Sequence, residues 1–273
     1  MEQGFNSSGY AGPRPRLVGA VNWLGLWTLF AREVRRFLKV SMQTVVAPVV
    51  TTLLFLAVFL LALGGQQRMI GDLPYMEFLV PGLVMMAMAQ NAFANTSSSL
   101  MIAKVQGNIV DVLMPPLSPG ELAWGFALGG VTRGLVVGMV VTAAMAVFVP
   151  VHLPHPALAL FHAAAASLCL SVLGIIGGIW ADKFDHIAAV TNFVVTPMAF
   201  LSGTFYSVEF LPPLWRDIAL CNPFFYMIDG FRYGLTGHAD GSIAVGVAVM
   251  VVSNAALIAI CHAMFARGYK LKA

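Results

Sequence analysis

Residues 196–237 read TPMAFLSGTFYSVEFLPPLWRDIALCNPFFYMIDGFRYGLTG. The stretch is apolar, yet breakers divide it: Pro197 and Ser202-Gly203, then Pro212-Pro213, then Asn222-Pro223, with a last stop at Asp229-Gly230. Proline removes a backbone donor and keeps the residue before it out of the helical region. The pieces between breakers are about a dozen residues long, whereas a helix needs roughly 20 to cross a bilayer core. They predict re-entrant or interfacial helices. Backbone broken at membrane depth is tolerated only where protein buries it or it lines a wet cavity. A folded outer loop without any transport role is the alternative. The apolar content of 205–231 favours a segment in or on the membrane.

Outward from that segment the chain stays apolar. Of its 273 residues 59% are hydrophobic and 10% charged, whereas soluble domains carry about 25% charge. Fifteen basic and twelve acidic residues cannot cover a soluble enzyme of this size, and the composition excludes disorder as well. Three cysteines, Cys169, Cys221 and Cys261, form no CxxC or Cys/His spacing, so neither a metal site nor a disulfide framework is expected. Charge-free runs of sufficient length predict six spans, at about 45–65, 78–103, 122–149, 157–181, 187–208 and 242–266. The expected fold is an all-α integral membrane protein: an N-terminal region over 1–44, a six-span domain over 45–266 and a tail over 267–273.

Basic residues set the orientation. Arg14, Arg16, Arg32, Arg35, Arg36 and Lys39 precede the first span, and Arg267, Lys270 and Lys272 follow the last. Lys104 and Lys183 lie in loops on that same side, against Arg68, Arg216 and Arg232 on the other. An excess of Lys and Arg marks the cytoplasmic face, which predicts two cytoplasmic termini. The first 17 residues are polar and lack the apolar core of a cleavable signal peptide.

Ahead of the first span, Trp23, Trp27, Phe30, Val34 and Phe37 recur at steps of four, three, four and three. That spacing gathers them on one helix face, with Arg32, Arg35, Arg36, Lys39 and Gln43 opposite. It predicts an amphipathic helix in the membrane interface, aromatics in the acyl boundary and basic groups among anionic lipid headgroups. A soluble helix packed on a partner is the alternative. Between spans two and three runs KVQGNIVDVLMPPLSPGE, residues 104–121. Residues 106–114 predict about two helical turns, stopped by Pro115 and Pro116. Ser118-Pro119-Gly120-Glu121 reads as a turn and as the start of span three. Plain connectors are usually only a handful of residues long, so partner docking is the favoured reading.

Within the spans, Arg133 is the sole formal charge. An arginine there faces protein or water, or snorkels to the inner interface, towards which it lies in span three. Structural and pathway roles weigh equally. Asn95-Thr96-Ser97-Ser98-Ser99 glues helices together or lines a path, glue being the commoner use. Gly129, Gly130, Gly134, Gly174, Gly177 and Gly178 predict close helix packing, and His162 and His262 read as isolated packing histidines. No GxxxxGK(S/T) phosphate loop, HExxH or GxSxG occurs, and no ladder of in-membrane acids offers an ion relay. A transporter of this kind needs a partner to power it. No basic stripe interleaved with aromatics points to nucleic acid.

The order of an amphipathic helix, six spans, a proline-ended cytoplasmic loop and a TP…LSGTFY…LPP…NP…DGFRYG outer segment resembles the permease subunit of type-2 ATP-binding-cassette (ABC) exporters. That bacterial group handles polysaccharides, lipo-oligosaccharides and drugs. The resemblance covers residues 23–266, with 196–234 its specific part. It implies a coupling helix that docks into a cytoplasmic ATPase subunit, falling on 105–119 and carried by Gln106, Asn108, Ile109, Asp111, Val112, Leu113, Pro115 and Pro119, with Glu121 opening span three. The apolar side (Ile109, Val112, Leu113) is expected to fill a groove on the ATPase, and Asp111 to meet a basic rim. The re-entrant outer helices fall on 207–232, within a segment marked by Gly203, Phe205, Pro212, Asn222, Pro223, Asp229 and Arg232.

The resemblance further implies two permeases with two ATPases in a bacterial inner membrane, and a path between the permeases for an amphipathic or lipid-linked substrate. ATP and Mg would be used by the partner, with no cofactor in this chain. An ion-coupled secondary transporter would need coupling acids or an inverted repeat. A membrane-embedded transferase would need a His-acid constellation, for which Asp182, Asp185 and His186 beside Lys183 form the nearest cluster. Both stay as alternatives.

Overall fold

The computed structural model describes residues 19–63, 69–71 and 73–271. Arg14, Arg16, Arg68, Lys272, the polar residues 1–17 and the last two residues of the expected first span, 64 and 65, lie outside these. Helix α1 (Trp23–Leu38) leads through a π-helical turn at Met42–Val46 into α2 (Ala47–Leu63). A minimal antiparallel pair, β1 (Met69–Ile70) and β2 (Leu73–Pro74), precedes α3 (Tyr75–Val105). Then come α4 (Ile109–Leu113), α5 (Pro119–Met145) and α6 (Pro156–Trp180). Helix α7 (Phe184–Val190) continues through a π-helical turn at Thr191–Val195 into α8 (Thr196–Phe200). Helices α9 (Pro213–Leu220), α10 (Pro223–Thr236) and α11 (Ile243–Arg267) complete the order.

Five helices among the described residues are long and apolar enough to cross a membrane: Met42–Ala62, α3, α5, α6 and α11. The segment expected as span five, 187–208, is helical from residue 184 and stops at residue 200. Its end is fixed locally. Gly203 adopts φ +72°, and the hydroxyls of Ser202 and Thr204 both donate to the Ala199 carbonyl, at 2.5 and 2.8 Å. Hydroxyls that satisfy a terminal carbonyl let the chain leave the helix without an orphaned acceptor.

Helix α3 is the axis of the bundle, buried along most of its length and packed against α5 and α6. Small residues allow the approach. A Cβ on Gly174 would lie 2.5 Å from the Phe93 carbonyl oxygen, and one on Gly134 would meet Ser167 and Ala92. Thr96 Oγ1 donates to the Ser171 carbonyl at 2.7 Å, and Ser171 Oγ to that of Ala127 at 2.9 Å. With lipid tails as apolar as leucine, such close packing and interhelical hydrogen bonds hold helices together. Gly177 has looser neighbours, at 3.8 Å.

Helix α10 is mostly buried and packs against α3, α6 and α11. Gly234 abuts the backbone of Ala159, and Gly230 the ring of His162. His162 is fully buried with Nδ1 2.9 Å from the Leu158 carbonyl, whereas His262 is exposed and is no packing histidine. Helix α9 lies on the outside, with Leu214, Trp215 and Ile218 uncovered.

Candidate functional site

The loop between α3 and α5 is a short, clamped platform. Gly107 turns the chain at φ +73°, a left-handed conformation that a side chain would strain. The helix that follows is only α4, shorter than the expected 106–114. Ser118 then caps α5: its Oγ accepts from the Glu121 N–H at 3.3 Å, and Glu121 Oε2 accepts from the Ser118 N–H at 2.6 Å. This reciprocal box, with Pro119 in the first turn, sets the start of α5. Glu121 Oε1 also accepts the Asn22 N–H at 2.5 Å, and Asn22 Nδ2 donates to the Pro116 carbonyl at 3.1 Å. The loop is thereby tied to the start of α1.

The apolar side of α4 is turned inward, contrary to the sequence reading. Ile109 and Val112 are each 5% exposed, in one apolar cluster with Leu100, Leu122 and Phe265, and Leu113 packs against it. The ends of α3, α5 and α11 offer these side chains an apolar surface within the chain itself, so no second protein is needed to cover them. What α4 presents outward is Val110 (50% exposed) and Met114 (75%), with Val105, Gln106, Asn108, Asp111 and Pro115 around them.

Helix α1 also differs from its expected posture. It lies along α5, Leu29 against Gly125 and Glu33 against Gly129, and Phe37 is buried while Trp23 and Trp27 stay exposed. Glu33 is fully buried and accepts from Ser99 Oγ at 2.8 Å and from Arg36 Nη2 at 3.1 Å. Arg36 is therefore not a headgroup-facing residue. Its Nη2 donates to the carbonyl and side-chain oxygens of Asn95 at 2.6 and 2.9 Å. A buried carboxylate needs a cation beside it, and the arginine one turn along supplies it.

Arg133 stands midway along α5, since the helix runs Pro119–Met145, and not nearer one end. It donates from Nη2 to Asn91 Oδ1 at 2.8 Å. Two open clefts flank α3 at this level, both lined by Gln90 and Asn91. One, about 380 Å³, lies against α2; the other, about 390 Å³, against residues 187–196.

At the opposite end of the bundle Arg232 is fully buried. Its Nε donates to the Phe78 carbonyl at 3.2 Å and its Nη2 to that of Gly203 at 2.7 Å. The guanidinium lies 3.6 Å from the Phe78 ring centroid, and Asp229 Oδ1 is 3.9 Å away. Asp229 also accepts the N–H groups of Asp240 and Gly241, at 2.8 and 3.0 Å. Asn222 caps α10 through the Phe224 N–H and donates to the Met198 carbonyl, with Pro223 in the first turn. The structure thus gathers Gly203, Asp229 and Arg232 into one lock with Phe78, while Asn222 ties the start of α10 to Met198. Phe205 stacks on Phe59 and Phe200 instead, and Pro212 starts α9.

Sequence reasoning missed Glu33, Asn91, Phe78 and Asp240. Glu33 carried a signal, its i,i+3 spacing to Arg36 opposite the Gly125/Gly129 pair. Of Asp182, Asp185 and His186, Asp182 is exposed and paired with Lys270 at 2.7 Å, whose hydrogen bond holds its carboxyl below the usual range.

The sequence profile of the ABC-2 type transporter family matches residues 25–236. The inner membrane transport permease YadH of Escherichia coli K12 is 38% identical over 250 residues, covering 92% of this chain and 98% of that protein. Nodulation protein J of Rhizobium leguminosarum bv. viciae is 23% identical over 235 residues, 86% of this chain and 90% of its own.

Proposed function

Because the chain belongs to the ABC-2 type transporter family, as the membrane subunit whose ATPase is a separate cytoplasmic protein, we propose that it exports an amphipathic or lipid-linked substrate across a bacterial inner membrane. It does so as a homodimer with both termini in the cytoplasm. The observation that carries this reading is the α4 platform. The loop, closed by the Ser118 cap of α5 and tied to α1 through Asn22 and Glu121, presents Val110 and Met114 beside Asp111. Force from ATP-driven closure needs such an inflexible point of contact. The inner-membrane placement draws on the permease of Escherichia coli, so named. The dimer draws on the sparse burial of α2 and of residues 184–200, which leaves Val50, Leu54, Val58, Leu61 and Phe193 uncovered.

Ion coupling has little support. Among the described residues the buried carboxylates are those of Glu33, Asp229 and Asp240, and each has a basic neighbour (Arg36, Arg232 and His238) and further donors. Affinity purification from native membranes should bring down an ABC ATPase, and cross-linking through cysteines placed on α2 should give a dimer. Recovery of the chain alone, as a monomer only, contradicts the reading.

A further inference from the structure

The arginine cluster beside α3 has more donors than the protein has acceptors. Glu33 is committed to Arg36 and Ser99, Asn95 Oδ1 to Arg36, and Asn91 Oδ1 to Arg133. Arg133 Nε and Asn95 Nδ2 are buried without any partner. No acid stands within ion-pair distance of Arg133 among the described residues, and the neighbouring charge that acts on it is Arg36, of the same sign. One carboxylate and two guanidinium groups leave one positive charge over. A charge held among helices without a counter-charge is costly unless something else supplies the acceptor.

That surplus is linked to a cleft through one residue, although Arg133 itself does not line it. Asn91, which holds Arg133, also lines the space of about 380 Å³ between α2 and α3. The cleft is two-natured: Gln43, Thr51 and Gln90 give it polar groups, while Phe55, Leu83 and Met86 give it apolar walls. We propose that Arg133, backed by Arg36, recognises the anionic headgroup of an amphipathic ligand, a phosphate or carboxylate, whose apolar part lies along that cleft. Arginine suits the task because its planar fork matches phosphate and carboxylate oxygens. As the recognition point of an exported substrate the site rests on the transport reading above. Its test involves no ATPase, so either reading can fail without the other.

The purified full chain in an uncharged detergent is titrated with dioctanoyl phosphatidate, with dioctanoylglycerol as the uncharged control and inorganic phosphate as the headgroup alone. Phosphatidate should bind, and Arg133→Gln should weaken it about tenfold to a hundredfold, the range of a lost charge-assisted hydrogen bond. Binding of dioctanoylglycerol should be equally weak in both proteins. If inorganic phosphate binds as tightly as phosphatidate and loses affinity in the same variant, the anion site stands and its ligand comes from the aqueous phase. Gln90→Glu serves as a second variant, since it places an acid at a half-buried position in the cleft and should repel or displace the anion. Unchanged phosphatidate affinity in a folded Arg133→Gln protein, or in Gln90→Glu should the former not fold, overturns the proposal.

Discussion

Replacing Arg232 with methionine should lower the stability of the folded chain by about 3–5 kcal/mol, the usual consequence of removing one partner of a buried ion pair. The size follows from how many groups lose a partner at once. The carbonyls of Phe78 and Gly203 lose their donor, the Phe78 ring loses its cation, and Asp229 keeps a buried charge with only backbone donors from Asp240 and Gly241. The lock joins three elements far apart in sequence: the start of α3, the turn after α8, and α10. Denaturant unfolding of the protein in mixed micelles, followed by tryptophan fluorescence, measures the change. Arg216→Met is the matched control on exposed α9 and should stay within about 0.5 kcal/mol. Equal stability of the two variants would remove Arg232 from any role as a lock.

The second large effect concerns the platform. Val110→Asp combined with Met114→Asp changes two exposed side chains, so the lone chain should keep its stability to within about 0.5 kcal/mol per site. Docked against a partner, the same carboxylates would be buried unpaired, at a cost of several kcal/mol, or about a thousandfold in affinity. The expected result is a chain that inserts and dimerises normally but no longer co-purifies with its ATPase. Val112→Asp makes the contrast, because it drives a charge into the cluster with Leu122 and Phe265. That variant should lose its own fold first, which is why substitutions on the inward side of α4 cannot report on docking. Retention of the ATPase by the double variant would reduce the loop to a connector.

The difference between those two substitutions marks where the sequence stopped being readable. Charge-free runs locate helices because a bilayer-length apolar run has few other uses, and α3, α5, α6 and α11 lie close to where such runs predict them. The breakers after Pro197 were equally visible, yet the end of that helix at residue 200 depends on two hydroxyls converging on one carbonyl, which spacing does not reveal. Amphipathicity has a deeper ambiguity. An apolar face on α4 or α1 says only that something covers it, and lipid, partner protein and the chain's own core are indistinguishable in a helical wheel. For Ile109, Val112 and Phe37 the chain's own core was nearest. Arg36 was misplaced for the same reason, since its partner Asn95 lies in another helix and Glu33 looks like an ordinary interfacial charge. Gly125 and Gly129 were the clue that α1 had a groove to enter.

The central claim, that this chain transports only when a separate ATPase drives it, is tested most directly by ATP hydrolysis in nanodiscs. The purified chain alone should hydrolyse no ATP above the empty-disc background. Adding the ATPase that co-purifies with it should restore hydrolysis, and the Val110→Asp, Met114→Asp variant should abolish that restoration. Robust hydrolysis by the lone chain would contradict the account.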